Sequence, residues 1–187
     1  MRDDLLKPEV FAMLANDEPV ETLWPKDKGT RKAIDNSIRE VVERLRIETG
    51  KNIDADFDSY GCGYASYVHV HLSELPHATK NCQDVATVLG LTIYVSRLVP
   101  YFTYGTEFRY WQGGTSASTF LVRDRIEDIP LGNDWTETIS IVGNCMRAFG
   151  YSLMTRDLCN TPVPSDVKWD SNFEKETLFD LVFHWND

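Results

Sequence analysis

Hydrophobic residues in the first part of this chain recur at helical spacing. Four apolar residues follow one another at steps of four, three and four and so share one helical face: Ile34, Ile38, Val41 and Leu45. This stripe predicts an amphipathic helix over about 31–48. Thr30 can act as its N-cap, and Gly50 stands where a helix ends in a left-handed turn.

Two other segments show the same spacing. Pro8 can open a short helix over about 8–15, because proline is well accommodated in the first turn of a helix. A longer stripe at steps of four and three predicts a helix over about 135–155. The "DWTE" sequence has the form of a capping box, with Asp134 as N-cap and Glu137 three residues later.

From about residue 53 the period of apolar positions changes to two, which is typical of strands. "NIDADFDSYG" and "YASYVHVHL" both alternate apolar and polar residues, and a turn at "GCG", residues 61–63, is predicted to join them as a hairpin. "DVATVLGLTIYVSRLV" predicts a long central strand. "YFTYG" with "EFRYW", then "STFLVRD", and finally "TLFDLVFHW" predict further strands.

These elements predict the fold class. No helical pattern separates successive strands, so parallel βαβ units are not expected and the sheet should be mostly antiparallel. We therefore predict one α+β domain over residues 1–187, with helices flanking an antiparallel sheet. Residues 1–29 are expected to form an N-terminal helix and loop that pack on this domain.

Charge narrows the range of partners. The chain carries 19 basic and 29 acidic side chains, a net charge of −10, which disfavours binding to nucleic acid and to anionic membranes. The same charge suits a basic protein partner. No apolar run reaches the ~18 residues that span a bilayer, and "MRDDLLKPEV" does not look like a signal peptide, so we expect a cytoplasmic protein.

The histidines of "YVHVHL" are the first candidate for chemistry. His69 and His71 share one face of the predicted strand, and H-x-H on a strand is an arrangement that can bind zinc. Further ligands would have to come from three residues, which are His77, Asp180 and His184. The alternation with valine accounts for the pair as ordinary residues of a half-exposed strand, so we predict no metal and no cofactor.

The other chemical motifs are incomplete. Asp54, Asp56 and Asp58 resemble the start of a calcium loop, but Ser59 stands where that loop needs glycine and Ala65 where it needs glutamate. The four cysteines form no C-x-x-C pair and are expected to be free thiols. Neither a nucleophile elbow nor a phosphate-binding glycine loop is present, so no catalytic residue is predicted.

Two stretches resemble a known group of proteins. "LTIYVSRLVPYFTYG", and "FGYSLMTRDLCNTPVPSD" followed by "ETLFDLVFHW", are similar to strings in the immunity-type proteins of bacteria, which are encoded beside polymorphic or contact-dependent toxins. The resemblance implies a cytoplasmic, non-enzymatic protein that binds and neutralises a cognate toxin. Asp54, Asp56 and Asp58 are then the expected partner-binding residues.

Two alternatives stay open. The first is a metal-dependent or Cys/His enzyme that uses His69 and His71. The second is a self-associating structural protein, a homodimer formed by pairing of an aromatic sheet edge, since the chain has eight tyrosines and five tryptophans.

Overall fold

The computed structural model describes residues 2–25, 30–58, 64–74, 86–112, 115–118, 121, 123–167 and 176–186. Within these ranges the helices are α1 (Arg2–Leu5), α2 (Pro8–Ala15), α3 (Arg31–Thr49), α4 (Asn133–Ala148), α5 (Arg156–Cys159) and α6 (Leu178–Val182). The strands are β1 (Asn52–Asp56), β2 (Tyr64–Ala65), β3 (Tyr67–Ser73), β4 (Ala86–Ser96), β5 (Tyr101–Gln112), β6 (Thr115–Ser118), β7 (Ser152–Leu153) and β8 (Trp185–Asn186). Short 3-10 turns cover Glu21–Leu23 and Arg123–Arg125.

The main sheet is antiparallel, with the strand order β1-β3-β4-β5-β6. β7 adds a short parallel pairing to β5, and β2 with β8 forms a separate two-stranded ribbon. The predicted α+β class with a mostly antiparallel sheet is confirmed. The "GCG" turn at 61–63 lies outside the described residues, but the two strands that it was predicted to join do pair antiparallel as β1 and β3.

One face of the sheet packs on the two long helices. The side chains of β3 and β4 that point to this face are valine, leucine and isoleucine, and they form one cluster with the apolar stripe of α3 and part of α4. The α3 prediction is confirmed at both ends. Thr30 accepts a hydrogen bond from the Ala33 N–H at 3.3 Å, and Gly50 has a left-handed φ of 63°. None of the described helices meets the length and hydrophobicity needed to cross a bilayer.

The other face is covered at one end by the smaller helices. Tyr67 and Tyr94 of the sheet stack with a centroid distance of 4.2 Å, and Phe183 lies beside them. Helices α1, α2, α5 and α6 complete this second cluster. Trp24 is buried and donates from Nε1 to the Leu98 carbonyl at 3.1 Å, which holds the N-terminal segment against the sheet.

Helix α4 ends earlier than the predicted boundary at residue 155. Gly150 adopts a left-handed φ of 88°, and the Tyr151 N–H donates to the Met146 carbonyl at 3.0 Å, which closes the helix. Tyr151 is buried, and the chain continues as β7. The end of the apolar stripe therefore belongs to a strand.

The start of α4 also differs from the prediction. Its N-cap is Gly132, which has a φ of 130° and no side chain to cap with. Asp134 is the second residue of the helix and lies in its first turn, where its charge favours the N-terminus. The predicted capping box of Asp134 and Glu137 is therefore wrong.

"YFTYG" and "EFRYW" form one strand, β5, and not the predicted pair. Gly105 between them marks a close approach of two backbones, because a Cβ there would lie 2.3 Å from the Arg125 carbonyl oxygen. Ile126 forms an isolated bridge with Gly105 at this point. The strand predicted at "STFLVRD" falls partly on residues 119, 120 and 122, which lie outside the described residues. Of the rest, Ser118 ends β6, Leu121 is not in a strand and Arg123–Arg125 is a 3-10 turn.

The predicted C-terminal strand is mostly helix α6. Thr177 and Asp180 form a capping box, in which Asp180 accepts from the Thr177 N–H at 3.0 Å. This local signal starts a helix where the alternation of phenylalanine and leucine favours a strand. Only Trp185–Asn186 beyond it is extended.

Candidate functional site

The three aspartates predicted to bind a partner lie at the edge of the sheet. Asp54 and Asp56 are in β1, which is the last strand on its side of the strand order. They lie opposite His71 and His69 of β3, so the two acidic and two histidine side chains share one face. Both aspartates are half-buried.

Asp58 lies just beyond the end of β1 and is exposed. Its N–H donates to Oδ1 of Asp56 at 2.9 Å, which bends the chain away from the strand. The structure therefore brings Asp54 and Asp56 together on one face and places Asp58 in the adjoining bend.

His69 and His71 are buried, with 2% and 0% of their surface exposed. The expectation that they lie on a half-exposed strand is wrong. The reason is that β3 lies between β1 and β4 and is covered on both faces, so all seven of its residues are buried.

The two imidazoles meet a threonine and a glutamate from neighbouring strands. Thr92 Oγ1 in β4 lies 3.1 Å from His71 Nδ1 and 3.4 Å from His69 Nε2. Glu107 Oε2 in β5 lies 3.1 Å from His69 Nε2. Tyr94 contacts the His69 ring edge-on, with a centroid distance of 5.3 Å. We call His69, His71, Thr92 and Glu107 the His–Glu cluster.

Gly90 makes room for this cluster. It lies opposite Glu107 in the β4–β5 pairing. A Cβ at position 90 would come within 2.6 Å of His71 Nε2 and 2.2 Å of the Leu72 carbonyl oxygen. The ring of His71 therefore occupies space that any other residue at position 90 would need.

Glu107 is the least satisfied member of the cluster. It is 1% exposed, and neither carboxylate oxygen accepts an aligned hydrogen bond from any described residue. The contact with His69 is close enough for an ion pair but is not aligned as a hydrogen bond. A buried acceptor left unmatched costs about 1–3 kcal/mol. Such a cost is more common at functional sites than in ordinary cores.

The cluster has the components of an acid–base pair. An imidazole is a group that can accept or donate a proton, and a carboxylate beside it orients the ring and stabilises its charged form. Two buried tyrosines adjoin the pair, and burial raises the pKa of Tyr67 to about 12 and that of Tyr94 well above its usual value. Both phenols therefore stay neutral over the physiological range.

The metal alternative lacks a third ligand in the described part of the chain. Within it, no group of three histidine, cysteine, aspartate or glutamate residues could hold a metal ion. Asp180 accepts bonds from Thr177, and His184 bonds to Asp17 and to the Leu181 carbonyl. His77, the remaining candidate, lies outside the described residues.

Two of the four cysteines are described, and both are buried free thiols. Burial raises the pKa of Cys159 to about 12, and burial with the nearby Glu48 carboxylate raises that of Cys145 to about 11. A thiol that stays protonated is a poor nucleophile. Cys62 and Cys82 lie outside the described residues.

Thr92 and Glu107 were not predicted as site residues from the sequence. One signal was present, because Thr103, Gly105 and Glu107 alternate with aromatic residues and threonine in a single strand. The division of this segment into two predicted strands, "YFTYG" and "EFRYW", interrupted the alternation, so the polar row was not recognised. The proximity of Glu107 to His69 depends on strand pairing, which the sequence pattern does not contain.

Fold and site together define an α+β protein whose sheet is apolar on one buried face and polar on the other. Comparison with protein-family models, with curated proteins and with solved structures finds no match for this chain.

Proposed function

We propose that this chain is a protein-binding inhibitor of the immunity type, which neutralises a basic toxin domain in the cytoplasm of a bacterial cell. The observation that carries the proposal is the edge position of β1. It sets Asp54 and Asp56 at the border of the sheet and Asp58 in the exposed bend beyond.

An edge strand offers a partner both shape and hydrogen bonds. Among the described strands, only β3 pairs with β1, so β1 forms an edge of the sheet, where strands of partners can add. Two carbonyls at this end are already taken, because Ile53 accepts from Arg46 at 3.2 Å and Phe57 from Arg97 at 2.8 Å. Side chains on the β1 edge then select the partner by charge. Three carboxylates within five residues select a basic one.

The charge of the whole chain supports the same partner. Acidic side chains outnumber basic ones by 29 to 19, so the long-range field attracts a cation-rich surface. Capture steered by such a field is fast at low salt and slows when the Debye length falls to about 8 Å at physiological ionic strength and below that at higher salt. A protein that must intercept a toxin benefits from fast association.

The test begins with capture of a partner from the native cells on the immobilised chain, followed by coexpression of that partner with the chain. The proposal predicts that the partner is basic and arrests growth, and that the chain restores growth. The triple variant Asp54→Asn, Asp56→Asn and Asp58→Asn should lower the association rate at least about tenfold, as expected for loss of electrostatic steering.

A control variant removes the same number of charges elsewhere. Glu9, Glu40 and Glu137 are exposed helix residues away from β1, and replacing all three by glutamine leaves the edge intact. This variant should keep most of the association rate and full protection of growth. Equal losses in both variants would show that net charge matters and that β1 is not the binding edge.

The His–Glu cluster favours a second candidate, an enzyme that uses His69 as an acid–base group. The specific observation is the distance of 3.1 Å between His69 Nε2 and Glu107 Oε2 inside the fold. In this case the chain would catalyse a reaction of its target or of a small molecule. Glu107 would orient the imidazole of His69 and stabilise its protonated form.

One pair of variants separates the two candidates. If protection comes from covering the toxin, Glu107→Gln should bind and protect as the unchanged chain does, and the triple aspartate variant should do neither. If it comes from chemistry, Glu107→Gln should bind normally and fail to protect. Self-association through β1 is a third outcome, and a concentration-dependent dimer in light scattering that the triple variant alters would identify it.

A further inference from the structure

A cleft on the apolar side of the sheet lies apart from both the β1 edge and the His–Glu cluster. It opens between α4 and the strands β5 and β7 and has a volume of about 210 Å³. Its walls are largely apolar, formed by Phe102, Tyr104, Ile139, Val142 and Leu153. Several of these side chains are only partly buried, so the cleft is open to solvent.

The size of the cleft limits its occupant. An apolar cavity of about 150 Å³ is known to admit benzene. A cleft of about 210 Å³ therefore has room for one aromatic ring or a short aliphatic chain with a small polar group. It is too small for a folded segment of another protein, which favours a small molecule.

The charge at the cleft comes from Arg147. Its Nη2 donates to the Asn144 side-chain oxygen at 2.6 Å, and within the described residues no carboxylate pairs with it. Arg97 pairs with Asp35 and Arg156 with Asp128, whereas the exposed Arg147 has no such pair among the described residues. Arg39 and Arg125 also have no carboxylate pair there, but their guanidinium groups lie over phenylalanine rings. The chain has ten more acidic than basic side chains, yet this guanidinium pairs with none of the described carboxylates. It can therefore bind the carboxylate of a ligand in the cleft.

Gly143 is the second unusual feature of the cleft. It lies inside α4, where glycine is a poor helix former compared with alanine. Packing does not require it, because a Cβ there would meet nothing closer than Arg147 Nη1 at 3.4 Å. The nearest neighbour of the missing side chain is thus the Arg147 guanidinium, and both residues line the cleft. The glycine has a cost for the helix and leaves bare backbone beside the guanidinium at the cleft.

We propose that this cleft binds a small apolar monocarboxylate, with the ring or alkyl body between α4 and β5 and the carboxylate on Arg147. The arginine provides the paired donors that suit a carboxylate. Tyr104 adds a neutral hydroxyl at the wall, since burial raises its pKa. The site is independent of toxin binding and involves none of the residues of the β1 edge.

The test uses benzoate as the probe, titrated into the full chain and followed by amide NMR shifts. Benzamide serves as the uncharged analogue and acetate as the carboxylate without an apolar body. Benzoate should shift the amides of Gly143 and Tyr104 and bind about five to ten times more tightly than either analogue. Absence of these shifts, or equal affinity for benzoate and benzamide, would overturn the proposal.

Two variants separate the charge from the cavity. Arg147→Gln should lower benzoate affinity to that of benzamide and leave benzamide binding unchanged. Gly143→Leu replaces a poor helix former by a good one and fills the cleft, so it should abolish binding of both compounds and raise the melting temperature. Arg44→Gln, an exposed arginine of α3, should leave benzoate affinity unchanged. Benzoate affinity that stays unchanged in Arg147→Gln, or that survives in Gly143→Leu, would also overturn the proposal.

Discussion

The two faces of the main sheet are both buried but are built by opposite rules. On one face, β3 and β4 present only aliphatic side chains, which pack against the stripes of α3 and α4. On the other face, the same two strands present His69, His71 and Thr92 in alternate positions, with Glu107 from β5. The aliphatic face gains stability from every residue that it buries.

The polar face stabilises the fold much less, because each buried polar group must recover the hydrogen bonds that it loses on leaving water. The Thr92 hydroxyl lies within hydrogen-bond distance of one nitrogen of each imidazole, but Glu107 is left without an aligned donor among the described residues. The aliphatic face therefore accounts for most of the stability of the sheet. The buried polar residues of the other face contribute little to stability, so we attribute them to function. Four changes test this contrast.

The largest loss of unfolding free energy is expected for a substitution on the aliphatic face. Ile93→Ala removes a side chain that is 0% exposed, so it should destabilise the protein by about 4 kcal/mol, the sum of lost burial and a residual cavity. Urea denaturation measures the change. Ile47→Ala on α3 is the control, because Ile47 is 83% exposed and its loss should cost under about 0.5 kcal/mol. Similar losses at both sites would contradict the assignment of the core face.

The next effect is steric and lies on the polar face. Gly90→Ala brings a methyl group within 2.2 Å of the Leu72 carbonyl oxygen and 2.6 Å of His71, so β3 or the imidazole must move. We expect a loss of about 3 kcal/mol in unfolding free energy. Gly143→Ala is the matched control and should be neutral or stabilising by about 1 kcal/mol. If both glycine variants were equally stable, the close approach of Gly90 and His71 would be disproved.

A smaller effect should appear only at alkaline pH. The pKa of Tyr67 is raised from 10.0 to about 12 by burial, so the protonated phenol is favoured in the folded state. Its stabilisation is complete below pH 10 and is lost as pH rises toward 12, because the unfolded chain ionises first. The unfolding free energy should fall by roughly 2 kcal/mol across that window. Tyr67→Phe should reduce the fall without changing the pH dependence below pH 9, and Tyr94 should account for part of what remains.

The helices that hold the aliphatic face were largely predictable from the sequence, because their signals are local. The stripe of α3 and its caps Thr30 and Gly50 lie within one stretch of chain. The failure at α6 is also local, since the capping box of Thr177 and Asp180 is present in the sequence and outweighs the alternation that favoured a strand. The capping signal of Thr177 and Asp180 predicts helix α6 when it takes precedence over the period-two pattern of apolar residues.

The polar face was predictable only in part, because its assembly is non-local. The sequence shows that His69 and His71 share a face of one strand. It does not show that this strand is buried between β1 and β4, nor that β5 brings Glu107 to 3.1 Å from His69. Asp54 and Asp56 were placed correctly on a strand, whereas Asp58 lies in the bend beyond it. The position of this strand at the sheet edge depends on the strand order, which the alternation alone does not determine.

The smallest expected change has the opposite sign from the others. Glu107→Gln keeps the shape of the side chain but removes a buried charge that no described residue matches with an aligned hydrogen bond. Stability should therefore stay the same or rise by about 1 kcal/mol, as happens when poorly matched buried charges are made neutral. Urea denaturation at pH 7 measures the change in unfolding free energy. His69→Gln and the double variant complete a double-mutant cycle, which isolates the coupling energy between His69 and Glu107. A loss above about 2 kcal/mol would mean that the ion pair supports the fold, and the polar face would then need no functional explanation. A gain in unfolding free energy would show that Glu107 lowers the stability of the fold. That property is expected of a functional acid–base group and not of a residue that only packs.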